Sequence, residues 1–374
     1  MQKNWKNVLP FALTALVAFT SVASADSSNS AQMRNLENRV SALEQRKGAG
    51  GMINPQGRPQ VCHGVDVFVF GSLLYWNAHE NGLSVAVKAP STNSLVHDNL
   101  LENSVVKNMS GKWNWGFRVG LGYNTMHDGW DLRMPWTRFT DTGHRNPNTA
   151  GAQFFPTQAM PSFVEDVSTG GSTTSVGAYW GLNINVLDLD LGREFFVSKW
   201  LTLRPHGGLR TNWIHQNMHI FYGHLAATDF PATPNANVTM SDHWWGLGLE
   251  GGLDTQWGLG GGWSVFGNMS AAVLYGLHEM ENENNLIDGA TFATLSDSYH
   301  ITHPMLDFIV GLRWDHLFCN DRFHIGFDLG WEHHLFLSQN QFPVFVDEAN
   351  AGAFVANQGD LTLQGWTFSA RFDF

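Results

Sequence analysis

From His243 to Trp257 the chain places Trp245, Leu247, Leu249, Leu253 and Trp257 at odd positions and Glu250, Asp254 and Gln256 at even ones. Strand side chains alternate faces, whereas a helix would scatter these residues around its circumference, so this stretch is a strand with one apolar and one hydrophilic face. The twelve steps between its tryptophans cover roughly 40 Å at about 3.3 Å each, or about 28 Å along the normal at a tilt near 45°. That is close to an apolar band of roughly 25 Å with an aromatic girdle at each edge. A soluble core gives no reason for tryptophans at that interval.

The pattern recurs. In Trp113 to Tyr123, the residues Trp113, Trp115, Phe117, Val119, Leu121 and Tyr123 alternate with Asn114, Gly116, Arg118, Gly120 and Gly122. Trp130, Leu132, Met134 and Trp136 follow, set against Asp131, Arg133 and Thr137. Leu201, Leu203, Leu209 and Trp213 oppose Arg204, His206, Arg210 and Asn212. Similar segments run from Trp263 to Tyr275, Leu306 to Trp314 and Phe323 to Trp331, and Val65 to Trp76 reads as a first strand. The segment from Ser175 carries a phase change: Trp180, Leu182, Ile184 and Val186 are expected outward with Asn183 and Asn185 inward, but then Leu187, Leu189 and Leu191 alternate with Asp188 and Asp190. One inserted residue reverses the faces of a strand, so a bulge is predicted near Val186 to Asp188. The final segment alternates Trp366, Phe368, Ala370, Phe372 and Phe374 with polar residues. Trp366, Phe368, Phe372 and Phe374 resemble the terminal signal by which the barrel-assembly machinery takes up bacterial outer-membrane barrels.

Ten segments are clear. The connections at 77 to 112, 141 to 172, 222 to 242, 278 to 299 and 337 to 359 are long, and those near 125 to 128, 192 to 199, 258 to 261 and 317 to 321 are short. Long and short connections alternate, as in barrels with long outside loops and short periplasmic turns. The fold class expected is all-β, a transmembrane antiparallel up-and-down β-barrel. An extra hairpin from Leu83 to Val87 and Leu100 to Val106 would raise ten strands to twelve.

Composition agrees. The chain holds 16 Trp, 26 Phe and 39 Gly in 374 residues with only 14% charged, yet no long apolar run after the N-terminus. Each barrel segment is short and half apolar, which reconciles the two. Lys3 and Lys6, an apolar run from Val8 to Phe19 and Ala23-Ser24-Ala25 read as a secretory signal over residues 1–25. Its removal takes the formal charge from -12 to -14, since the segment carries two lysines and no acid, and such an acidic chain has no electrostatic reason to bind nucleic acid. Residues 26–60 combine a two-heptad pattern, Met33, Leu36, Val40 and Leu43, with a linker rich in Gly and Pro from Gly48 to Pro59. This short N-terminal coiled-coil helix is expected in the periplasm, where it could join copies into a homo-trimer. Residues 61–374 form the barrel.

Three features resemble the major outer membrane protein family of Legionella and the chlamydia-related bacteria: the N-terminal coiled coil, the run from Leu74 to Leu83 (LYWNAHENGL), and the run from Leu191 to Arg210 (LGREFFVSKWLTLRPHGGLR). The resemblance implies an abundant porin-like barrel that also serves as a surface antigen or adhesin, and it brings no catalytic motif and names no host receptor. Chlamydial members are rich in cross-linked cysteine, whereas this chain has only Cys62 and Cys319. Both are expected at the periplasmic rim, where they can pair with each other, stay free, or bridge two chains.

The residues expected to line a pore are Arg118, Asp131, Arg133, Arg204, His206, Arg210, Glu250, Asp254, Arg313, Asp315, Arg322, Asp328, Glu332 and Arg371. They carry both signs, and such rings set ion preference in a water-filled path. The same pairs could instead plug a lumen of ten to twelve strands, which is narrow. The 17 histidines include His333-His334 and the scattered His215, His219 and His224. Adjacent histidines on a strand face apart and no ligand spacing recurs, so neither a metal nor another cofactor is expected. A barrel hydrolase would need His beside Asp at the outer rim, and His97-Asp98 and Asp242-His243 are the candidate pairs. The expected function is passive diffusion of ions and small hydrophilic solutes through a porin, without enzymatic activity, in the lipid of the bacterial outer membrane. A non-conducting adhesin or structural barrel is the alternative, and a hydrolase ranks below both.

Overall fold

The computed structural model describes residues 54–61, 64–89, 103–125, 128–145, 153–158, 173, 175–223, 235–286, 291–346 and 353–374. The signal and the coiled-coil residues Met33, Leu36, Val40 and Leu43 lie outside the described residues, as do Cys62, His97-Asp98 and His224. Ten antiparallel strands form a closed barrel: β1 (Val67–Glu80), β2 (Trp113–Asn124), β3 (Trp130–Arg145), β4 (Ser175–Arg193), β5 (Leu201–Gly223), β6 (Ala236–Gly260), β7 (Trp263–Leu286), β8 (Thr291–Phe318), β9 (Phe323–Asn340) and β10 (Gly359–Asp373). Each pairs with the next in the chain, and β10 closes on β1 from Phe68 opposite Asp373 to Glu80 opposite Leu361. Within the apolar band closure leaves no strand edge unpaired, which a barrel surrounded by lipid requires.

Alternation builds the outer surface. Leu73, Phe117, Val119, Met134, Leu189, Leu209, Leu247, Leu249, Val273, Phe308, Val310, Leu329 and Phe368 are all exposed on the outward face. Exposed tryptophans mark both edges of this apolar band, with Trp130, Trp200, Trp257 and Trp263 toward the short turns and Trp115, Trp245 and Trp366 toward the long connections. The last turn, Cys319 to Asp321, has three successive residues at φ 54°, 57° and 62°. Cys319 is exposed and unpaired there.

Above the second girdle the pattern inverts, which corrects one expectation from the sequence. On β4 the inward residues are Trp180, Leu182 and Ile184, all buried, while Asn183 and Asn185 face outward. The register of β4 against β3 and β5 runs on without a shift, so no bulge forms at Val186 to Asp188. The backbone keeps one phase from Val176 to Asp190, and the medium outside it changes. Where lipid surrounds the barrel, apolar side chains gain by facing out. Beyond the girdle the outer face meets water, and apolar groups turn inward to form a core. The same inversion puts Ile214, Met218 and Ile220 inside β5 beyond Trp213, and Val238, Met240 and Trp244 inside β6 beyond Trp245.

The strands therefore run well past the band. Parts of the connections expected as long loops are strand: residues 222–223 and 236–242 belong to β5 and β6, and residues 278–286 and 291–299 belong to β7 and β8. Their polar outer faces had hidden the alternation. The extra hairpin exists but adds no barrel strand: Ser84–Ala89 pairs with Val105–Asn108 and with Gln153–Pro156 in a separate sheet. The count stays at ten.

Candidate functional site

The inside of the barrel divides into two zones. At the level of the apolar band it is charged, because β2 to β10 place their polar residues on inward positions. Two inward glycines on β2 give space to rings from β1: a Cβ on Gly120 would meet Phe70 at 2.3 Å and one on Gly122 would meet Phe68 at 2.1 Å. Arg371 lies over the Phe68 ring at 3.9 Å. Around them is a cavity of about 270 Å³ lined by Arg118, Arg133, Asp188, Arg204, Arg210, Glu250, Asp254, Asp307, Arg313, Glu332 and His334 among others.

These charges form three linked groups. Arg204 on β5 holds Asp131 on β3 at 3.0 Å, Asp190 on β4 at 2.5 Å and Asp254 on β6 at 3.1 Å. Arg133 adds contacts to Asp131 at 3.2 Å and Asp254 at 3.5 Å, and His206 approaches Asp254 at 3.5 Å. Higher up, Arg210 binds Asp188 at 2.7 Å, Glu250 at 2.9 Å and Asp307. His334 joins Asp307 at 2.7 Å to Glu332 at 2.9 Å, and Glu332 accepts both terminal nitrogens of Arg118 at 2.9 Å. The third group pairs Arg313 with Asp328 at 2.7 Å, His324 with Asp373 at 2.7 Å and Asp315 at 3.1 Å, and Arg371 with Asp373 at 2.6 Å. Bidentate arginine pairs of this kind compensate charges drawn out of bulk water.

Of the residues expected to line a pore, all but Arg322 face this lumen. Arg322 is exposed in the turn before β9, because the strand begins one residue later than the charge. Asp188, Asp190, Asp307, His324 and His334 belong to the groups as well. Their even or odd phase within each strand was the signal for them.

The second zone is an apolar cap beyond the outer girdle. Trp76, Phe139, Trp180, Ile214, Met218, Trp244, Leu274, Met305, Phe336 and Leu363 point in from the strands, and Leu83, Val85, Phe154 and Phe342 pack from the connections. All are buried. Burying side chains of this size stabilises by about 1.5–3 kcal/mol each, so the cap is a folded core and no loose lid. Two polar inlays cross it. Trp180 donates to Gln216 at 3.0 Å, and Gln216 donates to Glu80 at 2.9 Å. Burial holds the Glu80 carboxyl well above its ordinary value, Gln216 opposes this, and Asp242 nearby adds to it. Asp242 also meets His278 Nδ1 at 2.7 Å, His278 Nε2 meets His303 Nε2 at 2.7 Å, and His303 Nδ1 donates to the Leu337 carbonyl at 2.9 Å. Since that carbonyl only accepts, the proton between the rings belongs to His278.

The geometry separates Asp242 from His243. Asp242 is inward and sealed with His278, and His243 is outward against His215 at 2.5 Å. Adjacent strand residues face apart, so the two form no catalytic pair. Among the described residues no set of three or more His, Cys, Asp or Glu side chains converges to hold a metal ion.

A model of the family described as the Legionella pneumophila major outer membrane protein precursor matches residues 59–374. No curated protein sequence matches significantly. Among solved structures, the outer membrane protease OmpT from Escherichia coli is similar at 9% identity and TM-score 0.43, over 85% of this chain and 100% of that one. The Pseudomonas putida toluene transporter TodX is similar at 11% identity and TM-score 0.31, over 86% and 93%. The translocator domain of the Neisseria meningitidis autotransporter NalP is similar at 8% identity and TM-score 0.30, over 93% and 97%.

Proposed function

This chain belongs to the Legionella pneumophila major outer membrane protein family, and on that premise we propose that it is a porin of restricted bore for small hydrated ions. The observation that carries the reading is the charged cavity of about 270 Å³ at the level of the apolar band. A polar cavity of that size holds a cluster of waters. A barrel needed only as a scaffold gains little from buried ion pairs, since apolar side chains of equal volume fill a lumen at lower desolvation cost. Ions entering from the short-turn side exchange part of their hydration for Asp254, Glu250 and Asp307. Along the three groups ten carboxylates stand against six arginines and three histidines, a small acidic excess that favours cations.

The apolar cap restricts the bore. Because Trp180, Trp244 and Met218 stand on strands and are buried, moving the connections alone does not open it, and conduction requires these side chains themselves to shift. The same cap favours a second reading, a closed barrel that presents its outer connections as an adhesin or structural surface. We further propose that the chain has no enzymatic activity, since the Asp242–His278 pair is sealed from substrate.

Planar-bilayer recording of refolded protein tests both readings. Small, heat-sensitive, cation-preferring steps are expected, with larger steps in Trp244→Ala. A folded barrel silent in both forms overturns the porin and leaves the closed surface barrel.

A further inference from the structure

On the water-facing outer surface beyond Trp213 and Trp245, two imidazoles meet. His215 on β5 and His243 on β6 are register partners, and their Nδ1 atoms stand 2.5 Å apart with the rings at 77°. A gap of that size holds a single proton. Glu279 on β7, exposed on the same face, is the register partner of His243 on the other side. Neighbouring residues in a register row lie about 5 Å apart, within reach of a glutamate.

We propose that His215 and His243 form a surface site for one divalent transition-metal ion of the Zn²⁺, Cu²⁺ or Ni²⁺ class, with Glu279 beside them and water in the remaining positions. Imidazole nitrogen is the ligand these ions share. Tetrahedral bonds of about 2.0–2.1 Å set the two nitrogens about 3.3 Å apart. The rings therefore part by under about 1 Å, which exposed side chains allow through small χ changes. The ion replaces the proton between the two Nδ1 atoms, and that proton goes to solvent. In the register rows Asn183 on β4 lies beside His215 and Glu279 on β7 beside His243, Glu281 stands two residues further along β7, and Asp242 is buried behind His243. Two glutamates favour the cation, and protonation of the imidazoles opposes it, so binding weakens as pH falls.

The test uses the refolded full chain in detergent, titrated with Zn²⁺ by calorimetry and with Cu²⁺ by electron paramagnetic resonance. Nitrogen hyperfine structure from two imidazoles is expected, with an affinity at least tenfold weaker in His215→Ala and in His243→Ala and a smaller loss in Glu279→Gln. His300→Ala, on the same outer face, is expected to bind like the parent. All these side chains point to solvent, so heat-dependent gel mobility will show each variant folded. Unchanged affinity in either His215→Ala or His243→Ala, or an equal loss in His300→Ala, overturns the assignment.

Discussion

Arg204 on β5 reaches past β4 to hold the carboxylate of Asp131 on β3, with its Nε at 3.0 Å from both oxygens. Both side chains are almost wholly buried, at 3% and 2% exposure. Arg204→Met leaves Asp131, Asp190 and Asp254 facing one another without their shared cation. Breaking a buried pair from one side costs about 3–5 kcal/mol. Urea unfolding of the barrel in lipid is expected to show that loss, and Asp131→Asn in the same chain should recover part of it.

The lipid-facing band predicts a depth-dependent penalty. Leu249 on β6 is 71% exposed between Trp245 and Trp257. Leu249→Arg should destabilise the folded barrel by about 2–4 kcal/mol, and Ser241→Arg, on the same face beyond the girdle, by under about 1 kcal/mol. Equal costs at the two positions would show that Ser241 also faces lipid.

Glu80 gives the cap a pH dependence. Burial raises its folded-state pKa above the ordinary value of 4.5, so the protonated form is the one that the fold favours. Its contribution to stability is complete below pH 4.5 and is lost as pH rises through the elevated folded value. Glu80→Gln keeps the bond with Gln216 and removes the titration. Denaturation midpoints should fall with rising pH in the parent and less steeply in the variant.

The N-terminal heptads predict an effect on assembly. Deleting residues 26 to 60 of the mature chain should leave single-channel steps intact but abolish their grouping, with a smaller assembly in detergent by light scattering. Unaltered grouping would assign the segment to spacing alone.

Much of the fold was legible because strand alternation is local: each residue's face follows from its neighbours two positions away. Trp245 to Trp257 fixed the apolar band, and the parity of Arg204, Arg210, Glu250 and Asp254 placed them in the lumen. The inversion on β4 was misread as a bulge because a sequence gives the phase of a strand without the medium each face meets. His215 and His243 are separated by 28 residues, so no spacing rule joins them.

The sequence by itself determined a membrane barrel of ten clear strands, since period-two alternation between aromatic girdles is a property of each strand alone. Only the tertiary structure decided which charges pair, where the outer half closes on an apolar cap, and which histidines meet. Those depend on how the strands stagger around the closed barrel, and that stagger brings together residues such as Arg204 and Asp131 from strands that are not neighbours.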